Sequence, residues 1–287
     1  MTRILVTGGT GTVGSHVVAG LRERGIPVRV LKRDTALATD VLGDGVDLAP
    51  GDLTNPDSIH RALDGVERVF LCSPNHPRQV EFETNVIDAA AAAAVGRIVK
   101  LGANGAEIGS PLAFWDAHGR IEQHLRRSGI PFVILRPSTY MSNLLASAET
   151  VCRLGRLFAP AGDAKVTLID PRDVAAVAVV TLTTGGHEGR TYTLTGPEAL
   201  TYHDVAAQLS TAAGQPVEYV AVPDSGARGA MLRAGAPEWL AGQLEVLWRL
   251  LRQGAASATT DVVRVLLGRE PRTVADFARD HSDAFRP

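Results

Sequence analysis

The sequence predicts an α/β protein built on a doubly wound parallel sheet, and three observations carry that expectation. Short apolar runs alternate with segments of helical period from the first residues to about residue 137. The first run, Ile4-Leu5-Val6, is followed at once by Gly8, Gly11 and Gly14, and Val13, Val17, Val18 and Leu21 then recur at helical spacing. Gly25, Pro27, Gly65, Gly96, Gly129 and Pro131 punctuate the segments where such elements should stop.

In chain order, Ile4–Val6 is a buried strand and the segment from Val13 to Leu21 its following helix. Gly25-Ile26-Pro27 ends that helix, and Val28–Leu31 alternates as a second strand closed by Lys32-Arg33-Asp34. Val46–Pro50 reads as the third strand, and Asp57-Ser58 can cap a helix running to Leu63. Val69–Cys72 is a fourth strand. A helix from about Val80 to Val95 follows, its alanine run suited to high helix propensity and close packing on a sheet. Arg97–Leu101 is a fifth strand, a helix is expected from about Ala113 to Arg127, and Phe132–Leu135 is a sixth strand ending at Arg136-Pro137. Strands separated by helices require parallel pairing with right-handed crossovers. Beyond them, residues 143–157 read as helical, Val166–Ile169 and Thr191–Leu194 as strands, and Asp170-Pro171 as a helix start. Thr201 begins a helix to about Ala213, Val217–Val220 alternates as a strand, and helical stretches are expected around Met231–Leu251 and Val262–Leu266. The expected division is a nucleotide domain over 1–140 and about 165–185, with a substrate-binding lobe over about 141–164 and 186–287 covering the cleft.

Strand, glycine turn and helix in that order make a dinucleotide site. Glycine lets the chain turn sharply, lets a pyrophosphate approach the main chain and lets the helix sit close to the strand, while free N–H groups at the helix start face the anion. The turn supplies Gly8, Thr10, Gly11, Thr12, Val13 and Gly14 as cofactor contacts. At the end of the second strand an acid would accept from a ribose 2′-hydroxyl, whereas a cation would pair with a 2′-phosphate. Arg33, helped by Lys32, therefore points to NADP(H) over NAD(H), with Asp34 the residue that could reverse the choice. Asp52-Leu53 is placed to flank the adenine, although Asp52 fits a turn-organising role equally well. Cys72 and Ser73, and Pro137 at the end of the sixth strand, are candidates for the nicotinamide half; Cys72 also fits a small buried apolar residue.

A chain of 287 residues can bury a substantial core. Its formal net charge of -2 offers no electrostatic argument for nucleic acid or an anionic membrane, and neither is expected as a partner. The 2 cysteines lie far apart, so neither a disulfide framework nor a metal site is expected. With the first strand starting at Ile4 and no long apolar run, the expectation is a cytoplasmic protein.

The residues resemble the NmrA-like branch of the atypical short-chain dehydrogenase/reductases, and within it the NAD(P)H-dependent quinone and azo reductases. The resemblance rests on the TGGTGTVG turn, GDLTNPDSI, the block from Glu83 to Glu107, ILRPSTYMSNL and IDPRDVAAVAV, with further similarity in the carboxyl-terminal part. It implies a Rossmann-type fold, an NADP(H) cofactor and a small aromatic or quinonoid substrate; a homo-oligomer stays open. The branch also contains proteins that bind the dinucleotide as sensors.

Members of the wider superfamily use Ser, Tyr and Lys, the last two in a YxxxK spacing. Here the corresponding helix carries His118 and Glu122, and the serine region reads Gly102-Ala103-Asn104, so the usual alcohol dehydrogenase mechanism is not expected. The i, i+4 spacing puts His118 and Glu122 on one helical face, where the carboxylate could favour the protonated imidazole as a proton donor. The pair reads equally well as an ordinary exposed helical pair. Tyr140, Met141 and Asn143 are the candidates to touch the acceptor, with Trp239, Leu244, Leu247, Trp248 and Leu251 lining either an apolar pocket or the lobe's own core. The leading reading is an NADPH-dependent reductase of quinones, azo compounds or other conjugated, including natural-product, acceptors. A catalytically idle NADP(H) sensor and a non-redox isomerase or cyclase are the alternatives.

Overall fold

The computed structural model describes residues 2–34 and 36–286. β1 (Ile4–Val6) is buried throughout, as a strand covered on both faces must be. It leads through the glycine turn into α1 (Gly14–Glu23), which buries Val17, Val18 and Leu21. β2 (Val28–Lys32), α2 (Ala36–Leu42), β3 (Asp47–Pro50) and α3 (Pro56–Ala62) follow. Asn55 caps α3, its side chain accepting from the Asp57 and Ser58 amides, with Pro56 in the first turn, where its missing N–H costs nothing. The chain continues through β4 (Arg68–Leu71), α4 (Gln79–Ala92), β5 (Arg97–Leu101), α5 (Ala113–Arg127) and β6 (Phe132–Pro137).

The strand order is Thr191–Leu194, β6, β5, β4, β1, β2, β3. β1 pairs in parallel with β2 on one side (Ile4 with Val28) and with β4 on the other (Ile4 with Arg68). β4, β5 and β6 continue the parallel pairing, with Leu71 opposite Lys100 and Lys100 opposite Ile134. The expected Rossmann-type doubly wound sheet is therefore the observed one. Its topological switch point lies between β1 and β4, at whose carboxyl ends ligands of such sheets bind.

Two compact units divide the chain. The first runs to Ser110 and includes Phe114–Pro137 and Pro171–Thr193; the second comprises Pro111–Ala113, Ser138–Asp170 and the chain from Leu194 onward. Within the second, Ala199–Leu200, Val166–Ile169 and Thr139–Tyr140 form one small sheet, and Arg156–Ala159 pairs in parallel with Glu218–Ala221 in another.

Some expectations change here. The cap of α3 is Asn55, one residue before Pro56, and not the expected Asp57-Ser58, whose amides donate to it from within the helix. Residues 143–157 are not one helix: a 3-10 segment (Met141–Ser147) and an α-helix (Ala148–Leu154) end at Gly155, which takes a left-handed φ of 60°, and Leu157 then lies in a strand. The stretch around Met231–Leu251 is two helices, Asp224–Arg233 and Glu238–Arg252. Gly235 at φ 85° and Pro237 before the second helix interrupt what the apolar spacing alone would join. Helices Ala36–Leu42, Val274–Asp280 and Ser282–Phe285 were unforeseen; the second begins with a reciprocal Thr273–Asp276 capping box. Among the described residues no helix is long and apolar enough to cross a membrane, and no group of three or more His, Cys, Asp or Glu could hold a metal ion.

Candidate functional site

At the end of β1, Thr7 is fully buried and holds the two strands of the switch point together. Its hydroxyl donates to the Cys72 carbonyl at 2.7 Å and accepts from the Cys72 amide at 2.8 Å. Gly8 follows with φ 63°, against Cys72: a Cβ there would lie 3.0 Å from the Cys72 carbonyl oxygen. Gly14, at the start of α1, packs so closely on the turn that a Cβ would lie 2.2 Å from the Gly8 oxygen. Gly11 and Thr12 are exposed at the tip, Val13 is buried, and no side chain caps the first amides of α1. The predicted turn residues thus form one main-chain cradle at the start of α1, with its tip exposed at Gly11 and Thr12.

At the ends of β2 and β3 the cations separate. Lys32 folds over the turn, its Nζ donating to Thr10 Oγ1 at 2.7 Å. The Arg33 side chain is 82% exposed, with its Nε 3.9 Å from Asp52 Oδ2. Asp52 organises its own turn: Oδ1 accepts from the Thr54 amide and hydroxyl, both at 2.8 Å. Those Thr54 bonds, with Arg33 and Arg78 nearby, hold its carboxyl below the usual range. The Leu53 carbonyl is tied to α4 by Asn85 Nδ2 at 2.9 Å. Pro137 is buried at the end of β6, and its carbonyl accepts from the Asn104 amide.

The predicted His118–Glu122 partnership is not formed. Both side chains lie on the buried face of α5, as the spacing requires, but each meets a different strand. Glu122, fully buried, accepts from Arg136 Nε at 3.0 Å and Nη2 at 2.6 Å, with Arg126 at 3.3 Å. Gly102 makes room for it, since a Cβ there would be 2.9 Å from Glu122 Oε1. His118 instead places Nδ1 3.1 Å from Nζ of Lys100, a residue with no exposed surface. Burial first, then the Lys100 and Arg136 charges, push His118 well below the ordinary imidazole value. The expectation of a carboxylate-supported imidazolium is therefore corrected: at neutral pH this histidine is uncharged.

Lys100 is paired with Glu83 of α4, Nζ to Oε2 at 2.6 Å, both fully buried. Glu83 Oε1 in turn accepts from Ser73 Oγ at 2.9 Å and Gln79 Nε2 at 3.1 Å. Ser73, predicted as a ribose contact, thus has its hydroxyl proton committed to Glu83. Neighbouring Cys72 keeps some surface as a residue, yet desolvation and the Glu83 charge push its thiol up to about 12, so it is no thiolate nucleophile.

In the second unit, Tyr140 is half-buried beside Ile169 and Asn143 is exposed on the 3-10 segment. Met141 has no exposed surface and packs with Leu144, Val151 and Leu157, which removes it from the acceptor contacts: the 3-10 winding turns it into the core. Leu251 is also core, and Leu247 and Trp248 pack against it.

With this geometry in hand, comparison with known proteins is decisive. The NmrA-like family model matches residues 1–278. The chain belongs to the NmrA-like family. It is 42% identical to the NAD(P)H azoreductase of Xenophilus azovorans over 98% of this chain and 99% of that one. It is 40% identical to the (4-alkanoyl-5-oxo-2,5-dihydrofuran-3-yl)methyl phosphate reductase of Streptomyces griseus, covering 99% of each. Among solved structures, the NADPH complex of the Escherichia coli quinone oxidoreductase QOR2 superimposes with a TM-score of 0.88 at 30% identity, covering 97% of this chain and 99% of that one.

Against that background, the residues that sequence reasoning passed over in this NmrA-like chain are Thr7, Gln79, Glu83 and Lys100. A signal for the last was present. Lys100 is a charge inside the central strand RIVKL, and a buried charge requires a partner. Gln79 and Glu83, one turn apart on an otherwise alanine-rich helix, were the polar candidates to meet it.

Proposed function

We propose that this chain is an NADPH-dependent reductase of a quinone, an azo compound or another conjugated acceptor. The observation that carries the reading is the cradle after β1, where Gly8 and Gly14 leave space that no side chain could share with the backbone. It lies at the switch point of a sheet that matches an NADPH-complexed quinone oxidoreductase. The residues present fit the cofactor. Main-chain amides of Gly8, Thr10, Thr12, Val13 and Gly14 would hold the pyrophosphate, while the Gly11 amide closes the turn on the Gly8 carbonyl at 2.9 Å. Arg33, with Lys32 beside it, would meet the 2′-phosphate, Asp52 and Leu53 would flank the adenine, and Cys72, Ser73 and Pro137 would border the nicotinamide half. When bound, NADPH supplies the hydride.

The chain's own contribution is to receive an electron-poor acceptor and manage its negative charge. A neutral His118 keeps one N–H, which can donate to the atom where charge develops. Reduction of a quinone leaves an aromatised oxyanion, so one oriented donor, with water as the final proton source, is sufficient help. Glu122 serves by fixing Arg136. An enzyme that draws on NADPH is expected to work in the cytoplasm, where that cofactor is regenerated.

The test is NADPH oxidation, followed by its absorbance, with a panel of quinones and azo compounds, alongside direct measurement of cofactor binding. Acceptor-dependent oxidation is expected. Tight NADPH binding with no oxidation by any acceptor would replace this reading with that of a dinucleotide sensor.

A further inference from the structure

Lys100 sits in the middle of the parallel sheet, between Leu71 of β4 and Ile134 of β6, with its side chain wholly enclosed. An ammonium group has three N–H donors and nothing that accepts. Three groups surround Nζ: Glu83 Oε2 at 2.6 Å, the Leu101 carbonyl at 3.0 Å and His118 Nδ1 at 3.1 Å. An ionised carboxylate and a carbonyl only accept. The remaining N–H therefore points at Nδ1, which receives it only as a lone pair. That requirement puts the imidazole proton on Nε2, a nitrogen without a hydrogen bond to any described residue and not among the sealed, unpartnered atoms.

We propose that Lys100, held by Glu83, is a positioning residue that locks His118 in its neutral Nε2–H tautomer and so presents one fixed N–H donor to the acceptor. As to the acceptor, this rests on the reductase reading above; the tautomer itself does not. Glu83 is suited to the task because both its oxygens receive donors, Oε1 from Ser73 and Gln79 and Oε2 from Lys100. Three donors on its two oxygens fix the carboxylate in place, and through it the Lys100 Nζ beside His118. The charged groups around the imidazole act in one direction. Lys100 from β5 and Arg136 from β6 oppose its protonation, Glu83 on α4 is neutralised by Lys100, and Glu122 on α5 itself is taken by Arg136 and Arg126. The device differs from a tyrosine with a lysine one turn along the same helix. Here the lysine comes from a strand packed under the helix and acts on the histidine's Nδ1.

The experiment uses the full chain labelled with ¹⁵N-histidine, with and without NADPH, and long-range ¹⁵N–¹H correlation spectra that distinguish the two neutral tautomers and the imidazolium. The His118→Gln spectrum assigns the signal. The expected result is the pure Nε2–H form of His118 throughout the range about one unit either side of the ordinary histidine value near 6.5. In the double variant Lys100→Met with Glu83→Gln, chosen so that no buried charge is left alone, the signal is expected to become a mixture of tautomers that titrates. The same variant should lower kcat by about tenfold or more, part of the hundredfold or greater effect of a whole proton donor, with NADPH affinity unchanged. An Nδ1–H form or an imidazolium in the unaltered protein would overturn the proposal, as would an unchanged Nε2–H signal in the double variant. If no acceptor is reduced by the unaltered protein, the reductase reading fails, and the spectra still decide the tautomer.

Discussion

Replacing Gly14 by alanine tests whether the turn after β1 is a cofactor cradle or merely a tight connection. An added Cβ would stand 2.2 Å from the Gly8 carbonyl oxygen, 1.2 Å inside the 3.4 Å at which ordinary contact begins, and 2.8 Å from the Gly8 carbonyl carbon. Both obstacles are backbone, so no side-chain rotation relieves them, and the turn must move away from α1. Overpacking of this kind costs about 1–3 kcal/mol. The Gly8 turn is the part that yields, because α1 is anchored by Val17, Val18 and Leu21. If the displaced amides are those that hold the pyrophosphate, NADPH affinity falls by about 5- to 150-fold, the same energy read as binding. Gly20→Ala, on α1 beyond the turn, is the internal control: its Cβ would be 3.2 Å from Val179 Cγ2, only 0.2 Å inside contact and against a side chain, and should weaken binding by about threefold or less. The assay is fluorescence titration with NADPH, paired with thermal unfolding of each apo variant. Equal NADPH affinities for Gly14→Ala, Gly20→Ala and the unaltered protein would refute the placement of the cofactor at this turn.

Three further outcomes are expected. Arg33→Ser should lower NADPH affinity by about tenfold while leaving NADH affinity nearly unchanged, measured by parallel titrations, because only the 2′-phosphate is lost as a partner. Lys100→Met alone should destabilise the chain by about 3–5 kcal/mol in urea unfolding, since Glu83 is left charged and buried, and adding Glu83→Gln should recover much of that loss. The pH dependence of stability follows from His118, whose folded-state value is depressed by burial, Lys100 and Arg136. Below about 6.5 the unfolded chain takes up a proton there that the folded chain refuses, so stability should fall as pH drops through that window. His118→Gln should flatten this part of the profile; an unaltered slope would exclude His118 as its source.

Local features were legible where their causes are local. Ile4–Val6, the glycine spacing and the period of Val17, Val18 and Leu21 specify strand, turn and helix within some twenty residues, and the parallel order follows because strands joined through helices cannot pair otherwise. The helix boundaries that slipped did so at backbone signals weaker than the apolar period, as at Gly155 and at Gly235 with Pro237. His118 and Glu122 show the limit more sharply. Their spacing placed them on one face of α5, and that was correct. It did not say what the face would meet.

The sequence by itself determined the sheet, the turn after β1 and the residue types available to the site, because hydrophobic period and glycine geometry act between near neighbours. Only the tertiary structure decided the chemistry of those residues. Parallel pairing brings Lys100 between β4 and β6, α4 lays Glu83 over it, and α5 brings in His118, groups that lie 17 and 18 residues from Lys100 along the chain. A buried charge takes the partner within reach in space, so His118 went to a lysine and stayed neutral while Glu122 went to Arg136.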